Sequence, residues 1–163
     1  MNKLKESILK LLEENARLPV EEMACLLNVE AEAVATTLSE LEESGTILKY
    51  SAVVDWEKVD SEKTNALIEL TITPEREVGF DKIAERIYGF PEVKSLYLIS
   101  GSYDLAVFVE ADSFKEISLF VSEKLAPLNQ VKGTKTHFIM KKYKEQGVPF
   151  KSEENAKRLV ITP

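Results

Sequence analysis

The sequence predicts an α+β protein in which a small helical domain precedes a domain with the element order β-α-β-β-α-β. Two observations in its 163 residues support this prediction. Up to about residue 44, apolar residues recur at the three- and four-residue spacing of amphipathic helices. From about residue 62 the period changes, and TNALIELTIT alternates with Ala66, Ile68, Leu70 and Ile72 on one face, as a strand does. We therefore predict domains over residues 1–60 and 61–145, followed by a C-terminal tail over residues 146–163.

The first 44 residues contain three short segments with an apolar stripe at helical spacing. The first fades near Asn15, and the other two end at Asn28 and at Ser44-Gly45, which favour helix termini. Pro19 suits the first turn of the second helix, where no N–H donor is needed. The stripes consist of Leu4, Ile8, Leu11 and Leu12 in the first helix, Val20, Met23, Ala24 and Leu27 in the second, and Val34, Leu38 and Leu41 in the third.

The segment TILKYSAVVD follows the third helix and is predicted to form two short strands. Ile47 and Val53-Val54 are their apolar anchors. Two short helices joined by a tight turn and followed by a strand pair are typical of a winged helix-turn-helix. The second helix of such a pair usually enters the major groove of DNA.

The remaining elements predict a ferredoxin-like domain. The strands are TNALIELTIT, VKSLYLIS, YDLAVFVEA and TKTHFIMKKY, and the turn Gly101-Ser102 separates the middle two. Two amphipathic helices lie between them, and Pro127 stops the second. Their inward residues are Phe80, Ile83, Ala84 and Ile87 in the first helix and Phe114, Ile117, Val121 and Leu125 in the second.

Two successive strand-helix-strand units predict four antiparallel strands with both helices on one face. The other face of the sheet then needs a cover, and a second subunit is the simplest one. We therefore expect a homodimer whose sheets pack face to face.

Composition excludes several classes of protein. No run approaches the roughly 20 apolar residues of a membrane span, and the start MNKLKESILK has charges where a signal peptide has an apolar core. A lone cysteine, Cys25, forms no intrachain disulfide and no zinc cluster. We expect a soluble cytoplasmic protein without a metal or cofactor.

The net charge of −7 belongs to the first third of the chain. Residues 1–60 contain six basic and thirteen acidic residues, and residues 61–163 contain fifteen of each. An acidic N-terminal domain is unusual for a protein that binds DNA, because most of the affinity for DNA comes from cations that displace the counterions of the phosphates.

The element order and two segments, EMACLLNVEAEAVATTLSELEESGTILKYSAVVD and ISGSYDLAVFVEADS, resemble the Lrp/AsnC (feast/famine) family of regulators. The resemblance covers residues 3–145. It implies that the first domain binds DNA, that the second dimerises, and that dimers often assemble into octamers with amino acids bound at the contacts between dimers. The implied function is a sequence-specific transcription regulator that responds to a small effector, an amino acid.

The resemblance also implies an effector site, because residues 101–104 match the family's Gly-x-x-Asp turn and two threonines fall on the strand that lines the pocket in relatives. A glycine turn offers backbone N–H groups to a carboxylate, and an aspartate offers a negative charge to an ammonium. The alternative is a hairpin turn capped by the aspartate. The predicted site residues are Ser100, Gly101, Ser102, Tyr103, Asp104, Thr134 and Thr136.

The predicted DNA-binding helix departs from the family pattern. It has Thr37, Ser39 and Glu40 where relatives have arginines, and Glu30 where they have a Ser or Thr cap. Cys25 and Leu26 stand where relatives have basic residues on the second helix. Hydroxyl groups and flanking cations remain as candidate contacts to DNA. The predicted DNA-binding residues are Thr36, Thr37, Ser39, Lys49 and Arg17, with Lys3 and Lys5 as further flanking cations.

Two other functions stay open. The acidic helix favours a family member that does not bind DNA itself and acts through a protein partner. Sirohaem decarboxylases also resemble this family, but His137 is the only histidine and Arg76 and Arg86 are the only arginines between residue 61 and the tail. No paired base accompanies His137, so we predict no catalytic residue and no enzyme activity. The tail ends in RLVITP, which fits either a frayed end or an added strand on a neighbouring subunit.

Overall fold

The computed structural model describes residues 3–59, 63–73 and 79–150. The chain forms two compact units that divide between Val54 and Asp55, a few residues before the predicted boundary. Each unit has its own apolar core. Within the described ranges, no helix combines the length and the hydropathy that a membrane span needs.

The first unit contains the three predicted helices, α1 (Lys3–Glu14), α2 (Val20–Leu27) and α3 (Ala31–Glu43). Asn28 ends α2 in the left-handed conformation at φ 52°, and its backbone N–H bonds back to the helix. The short turn between α2 and α3 is that of a helix-turn-helix. The buried core residues are Ile8, Met23, Ala24, Val34 and Leu41, each of which was predicted to face inward.

The strand pair predicted for TILKYSAVVD is wrong. Residues 46–55 form no strand, and a 3-10 helix follows at Trp56–Val59. The N–H groups of Thr46 and Ile47 both donate to the carbonyl of Leu41, at 2.9 and 3.0 Å. The first residues of the segment are therefore bonded to the C-terminal turn of α3 and not to a partner strand. It contains no Asn-Gly or Asp-Gly pair to reverse the chain. Of the predicted anchors, Ile47 packs against the helical core and Val54 is 40% exposed.

The second unit has the predicted β-α-β-β-α-β order. Its strands are β1 (Thr64–Ile72), β2 (Val93–Leu98), β3 (Leu105–Ala111) and β4 (Val131–Ile139), and its helices are α4 (Asp81–Tyr88) and α5 (Phe114–Phe120). The strands lie in the order β2-β3-β1-β4 and every neighbouring pair is antiparallel. This is the ferredoxin-like arrangement that the sequence predicts.

The second helix of this unit differs from its prediction. After Phe120 the chain continues as a π-helical turn, Val121–Leu125, and the N–H of Ala126 bonds to the carbonyl of Val121 at 2.8 Å. The wider turn brings Leu125 into the core together with Ile117 and Phe120, although Phe120 was not predicted to face inward. Phe114, predicted to be buried, is 55% exposed. Its ring still packs on Phe138, with 4.8 Å between the ring centroids.

A small hairpin follows the sheet where the sequence analysis placed the start of the tail. Its strands are β5 (Lys144–Glu145) and β6 (Val148–Pro149). The two residues between them, Gln146 and Gly147, have φ values of 45° and 84°, as a tight two-residue hairpin turn requires. The segment RLVITP, for which a frayed end and an added strand were both left open, lies outside the described residues, as does Pro74.

The two faces of the four-stranded sheet differ. Ala66, Ile68, Leu70 and Ile72 of β1 face the helices and are buried with Ile83 and Ile87 of α4 and Ile117 and Phe120 of α5. Neither helix packs on the opposite face. That face, here called the open face, contains Leu67, Glu69, Tyr97, Ala106, Phe108 and His137.

Candidate functional site

The turn between β2 and β3 is anchored to the central strand by Asp104. The backbone N–H of Asp104 donates to the carbonyl of Leu70 at 2.9 Å, and its carbonyl accepts from the N–H of Ile99 at 2.8 Å. Its carboxylate Oδ2 accepts from the backbone N–H of Ile72 at 2.7 Å. Asp104 therefore connects the turn to the end of β1 by both its backbone and its side chain.

The rest of the turn is open to solvent. Ser100, Gly101 and Ser102 are exposed, and Tyr103 is half-buried. Gly101 does not adopt the left-handed conformation. A Cβ atom at this position would lie 3.4 Å from the side chain of Ile99. The conformation of the turn therefore does not itself require glycine, but a glycine leaves the backbone N–H groups accessible.

The two predicted threonines lie on the far side of the central strand. Thr134 pairs with Leu70 and Thr136 with Ile68, so both are on the helix-facing side of β4. Because β1 separates β4 from β3, Thr134 and Asp104 are about two strand spacings, or about 10 Å, apart. Within one chain, the seven predicted effector residues therefore form two groups rather than one pocket.

A cavity that the sequence analysis missed lies between α4 and β2. Its volume is about 340 Å³. We call it the α4–β2 groove, and its lining residues are Phe80, Asp81, Ala84, Tyr88, Val93, Lys94, Ser95, Leu96, Leu98 and Leu105. Two of its apolar walls, Tyr88 and Leu98, are 60% and 63% exposed. Hydrophobic periodicity cannot predict such a groove, because its width depends on how the helix packs on the edge strand.

The outer face of α3 is the predicted DNA-binding surface, and only some of the predicted residues are exposed on it. Thr36 and Ser39 are exposed, and Ser39 donates to Glu43 Oε1 at 3.2 Å. Thr37 is only 8% exposed, and its hydroxyl donates to the carbonyl of Ala33 at 2.7 Å. The prediction that Thr37 contacts DNA is therefore wrong, because the residue lies on the buried face of α3 with Val34.

Among the described residues, one of the predicted flanking cations is paired with a carboxylate of α3. Arg17 and Lys49, two of the predicted DNA-binding residues, are exposed. Lys5 of α1 forms an ion pair with Glu40 of α3, with 2.7 Å between Nζ and Oε2. At the start of α3, Glu30 makes no side-chain capping bond and Glu32 adds a further negative charge. The surface is polar and acidic.

The single histidine lies on the open face of the sheet. Its Nε2 is 3.0 Å from Oε1 of Glu69, and Lys135 Nζ is 3.9 Å from the other carboxylate oxygen. In the part of the chain that the structure describes, no group of three or more His, Cys, Asp or Glu residues is arranged to hold a metal ion.

Two family models match the chain. Residues 65–149 match the model described as the Lrp/AsnC ligand binding domain, and residues 1–47 match one described as a winged helix-turn-helix DNA-binding domain. The second match holds although the strand pair after α3 is absent, because it ends at residue 47. Each model matches one of the two units of the structure.

Named relatives cover most of the chain. YugG of Bacillus subtilis, an uncharacterized HTH-type transcriptional regulator, is 45% identical over 157 residues, which is 96% of this chain and 95% of the relative. A proline dehydrogenase transcriptional activator of Rhodobacter capsulatus is 28% identical over 135 residues, 83% of this chain and 87% of the relative. Both relatives are named as regulators of transcription.

Solved structures share the fold. A transcriptional regulator of Neisseria meningitidis, crystallised as a complex with L-methionine, superposes with a TM-score of 0.71 at 24% identity, over 91% of this chain and 95% of that one. AsnC of E. coli superposes with a TM-score of 0.65 at 18% identity, over 87% of this chain and 93% of that one.

Proposed function

The chain belongs to the Lrp/AsnC family of transcription regulators, and from this premise we propose that a free amino acid is the small molecule that controls its binding to DNA. The observation that carries the proposal is the exposed glycine turn anchored by Asp104 to the end of the central strand. The complex of the Neisseria meningitidis regulator with L-methionine supports this class of effector. Action on chromosomal DNA would place the protein in the cytoplasm.

The turn suits the two charged groups of an amino acid. The exposed backbone around Gly101 offers N–H donors to the carboxylate, and Asp104 offers its negative charge to the ammonium. Thr134 and Thr136 add hydroxyl groups. Because β1 separates them from Asp104 in one chain, we place the effector at a contact between chains, where the turn of one copy meets the threonines of another.

A homodimer formed through the open face is the second part of the proposal. The rings of Tyr97 and Phe108 meet edge to face there, with 6.0 Å between the ring centroids, and Tyr97 is 54% exposed. The apolar rings lie next to the pair of Glu69 and His137. Such a mixed apolar and charged surface is typical of a subunit interface, and assembly of the dimers into an octamer stays a further expectation.

Phe108→Arg should convert the dimer into a monomer, because a charge would be buried without a partner in the interface. Light scattering at micromolar concentration should give at least twice the chain mass of 18.4 kDa for the parent protein and the single mass for the variant. The control Leu119→Arg places the same charge on α5, at a site that is already 42% exposed, and should stay dimeric. A monomeric parent protein would contradict the dimer.

Asp104→Asn should nearly abolish amino-acid binding while leaving the fold intact, because an amide oxygen still accepts from the N–H of Ile72 but has no charge for the ammonium. Removing one side of a buried charged pair costs about 2–5 kcal/mol, so calorimetry should show affinity reduced at least about 30-fold. Asp104→Ala should also lose about 1–3 kcal/mol of stability in urea unfolding.

Two results would count against this effector site. The first is the absence of binding heat from the parent protein with all twenty amino acids. The second is equal affinity for the parent protein and Asp104→Asn, which would assign Asp104 to the turn alone.

DNA binding is expected to be weak and to use few phosphate contacts. Each chain of the dimer carries a net charge of −7 in its first sixty residues. This charge repels the phosphates of a duplex at long range. Glu40 is already paired with Lys5, so its negative charge opposes DNA less than Glu32 and Glu43 do. Thr36, Ser39, Arg17 and Lys49 are the exposed groups left to contact the duplex.

Thr36→Arg combined with Ser39→Arg should strengthen binding and steepen its salt dependence by up to about four units per dimer, one for each new phosphate contact. Titration of duplex fragments from the genome that encodes the protein, at several salt concentrations, measures the affinity and its salt dependence. The control Ser118→Arg with Ser122→Arg adds the same charge at exposed sites of the second unit, and should change the slope little. Equal slopes for both variants would mean that α3 does not face DNA, and would favour the protein-partner function.

A further inference from the structure

The α4–β2 groove adjoins the proposed effector turn. Leu98, the last residue of β2, and Leu105, the first residue of β3, both line the groove, and the chain between them is the turn that contains Gly101. Ser100 is two residues from Leu98, and Asp104 is next to Leu105. Because consecutive Cα atoms are about 3.8 Å apart, a ligand held at the turn is within the reach of one side chain from the groove.

The walls of the groove are mainly apolar. Phe80 at the N-cap of α4 and Ala84 and Tyr88 of α4 line one side. Leu96 and Leu98 of β2 line the other. The exposure of Tyr88 and Leu98, at 60% and 63%, leaves large apolar surfaces in water next to the turn. A ligand that covers them gains the free energy of burying both its own surface and theirs.

The charged groups at the groove do not favour a charged side chain. Lys94 is turned to Glu110, with 3.5 Å between Nζ and Oε1. Asp81 lies in the first turn of α4, and Ser95 and the hydroxyl of Tyr88 are the remaining polar groups of the lining. A charged ligand side chain would lose its hydration against Leu96, Leu98 and Leu105 without a matched set of partners.

We infer that the α4–β2 groove receives the side chain of the effector, which is therefore an amino acid with a large apolar side chain. The inference rests on the proposed function, since it takes the turn as the site of the ammonium and carboxylate. A volume of about 340 Å³ accommodates a leucine, methionine or phenylalanine side chain, whereas glycine and alanine leave it almost empty. Each buried methylene should improve the affinity about four-fold.

Calorimetry of the full-length protein with glycine, alanine, leucine, methionine, phenylalanine, aspartate and lysine tests the inference. Leucine, methionine or phenylalanine should bind at least about 30-fold more tightly than alanine, as three or more buried methylene groups imply. Aspartate and lysine should bind more weakly than the apolar amino acids.

Two variants test the groove itself. Ala84→Phe fills it and should reduce the affinity for the large apolar amino acids at least ten-fold, while the affinity for alanine stays the same. Glu85→Phe, which adds the same ring at an exposed position of α4 outside the lining, should leave all affinities unchanged. Leu98→Ser removes an exposed apolar wall with little risk to folding, and should weaken binding of the same apolar ligands.

The possible failures are distinguishable. Absence of binding by every amino acid overturns the proposed function and this inference together. Binding that prefers charged or small amino acids, or that is unaffected by Ala84→Phe and Leu98→Ser, overturns the inference and leaves the turn as the effector site. If light scattering shows that Leu98→Ser is a monomer, the groove is a contact with a second copy of the chain, and the inference that it receives the effector side chain is overturned.

Discussion

The pairing of β1 with both β3 and β4 determines the position of everything else in the second unit. Its alternate residues Ala66, Ile68 and Leu70 are fully buried under the two helices, so β1 can neither slide nor rotate without exposing the core. The end of this strand holds the proposed effector turn, because Leu70 and Ile72 both bond to Asp104. The turn is therefore fixed to a strand that is paired on both sides and buried on one face.

Placing both helices on one face of the sheet has two consequences for function. The open face presents Tyr97 and Phe108 beside the pair of Glu69 and His137, which suits a second subunit. At the edge of the sheet, α4 covers β2 incompletely and leaves a groove next to the turn. The same asymmetry thus accounts for the proposed dimer and for the proposed side-chain pocket.

The sequence predicted the elements better than the details of the sites. Helix and strand periods located the three N-terminal helices and the β-α-β-β-α-β unit, because burial of one face repeats along each element. The strand pair after α3 failed because apolar anchors alone do not reverse a chain. Thr37 was misplaced because a threonine can bury its methyl group while its hydroxyl bonds to Ala33. The π turn after Phe120 and the α4–β2 groove depend on local backbone geometry and on packing distances, which periodicity does not contain.

The most direct test of the account is a DNA titration with and without the amino acid that binds most tightly in calorimetry. If the ligand at the turn controls DNA binding, saturating amino acid should change the affinity for the preferred DNA fragment by at least about five-fold, the lower end of typical coupling between two sites. The same titration with Asp104→Asn should show no change. An equal DNA affinity with and without the amino acid, in a protein that calorimetry shows to be saturated, would contradict the account.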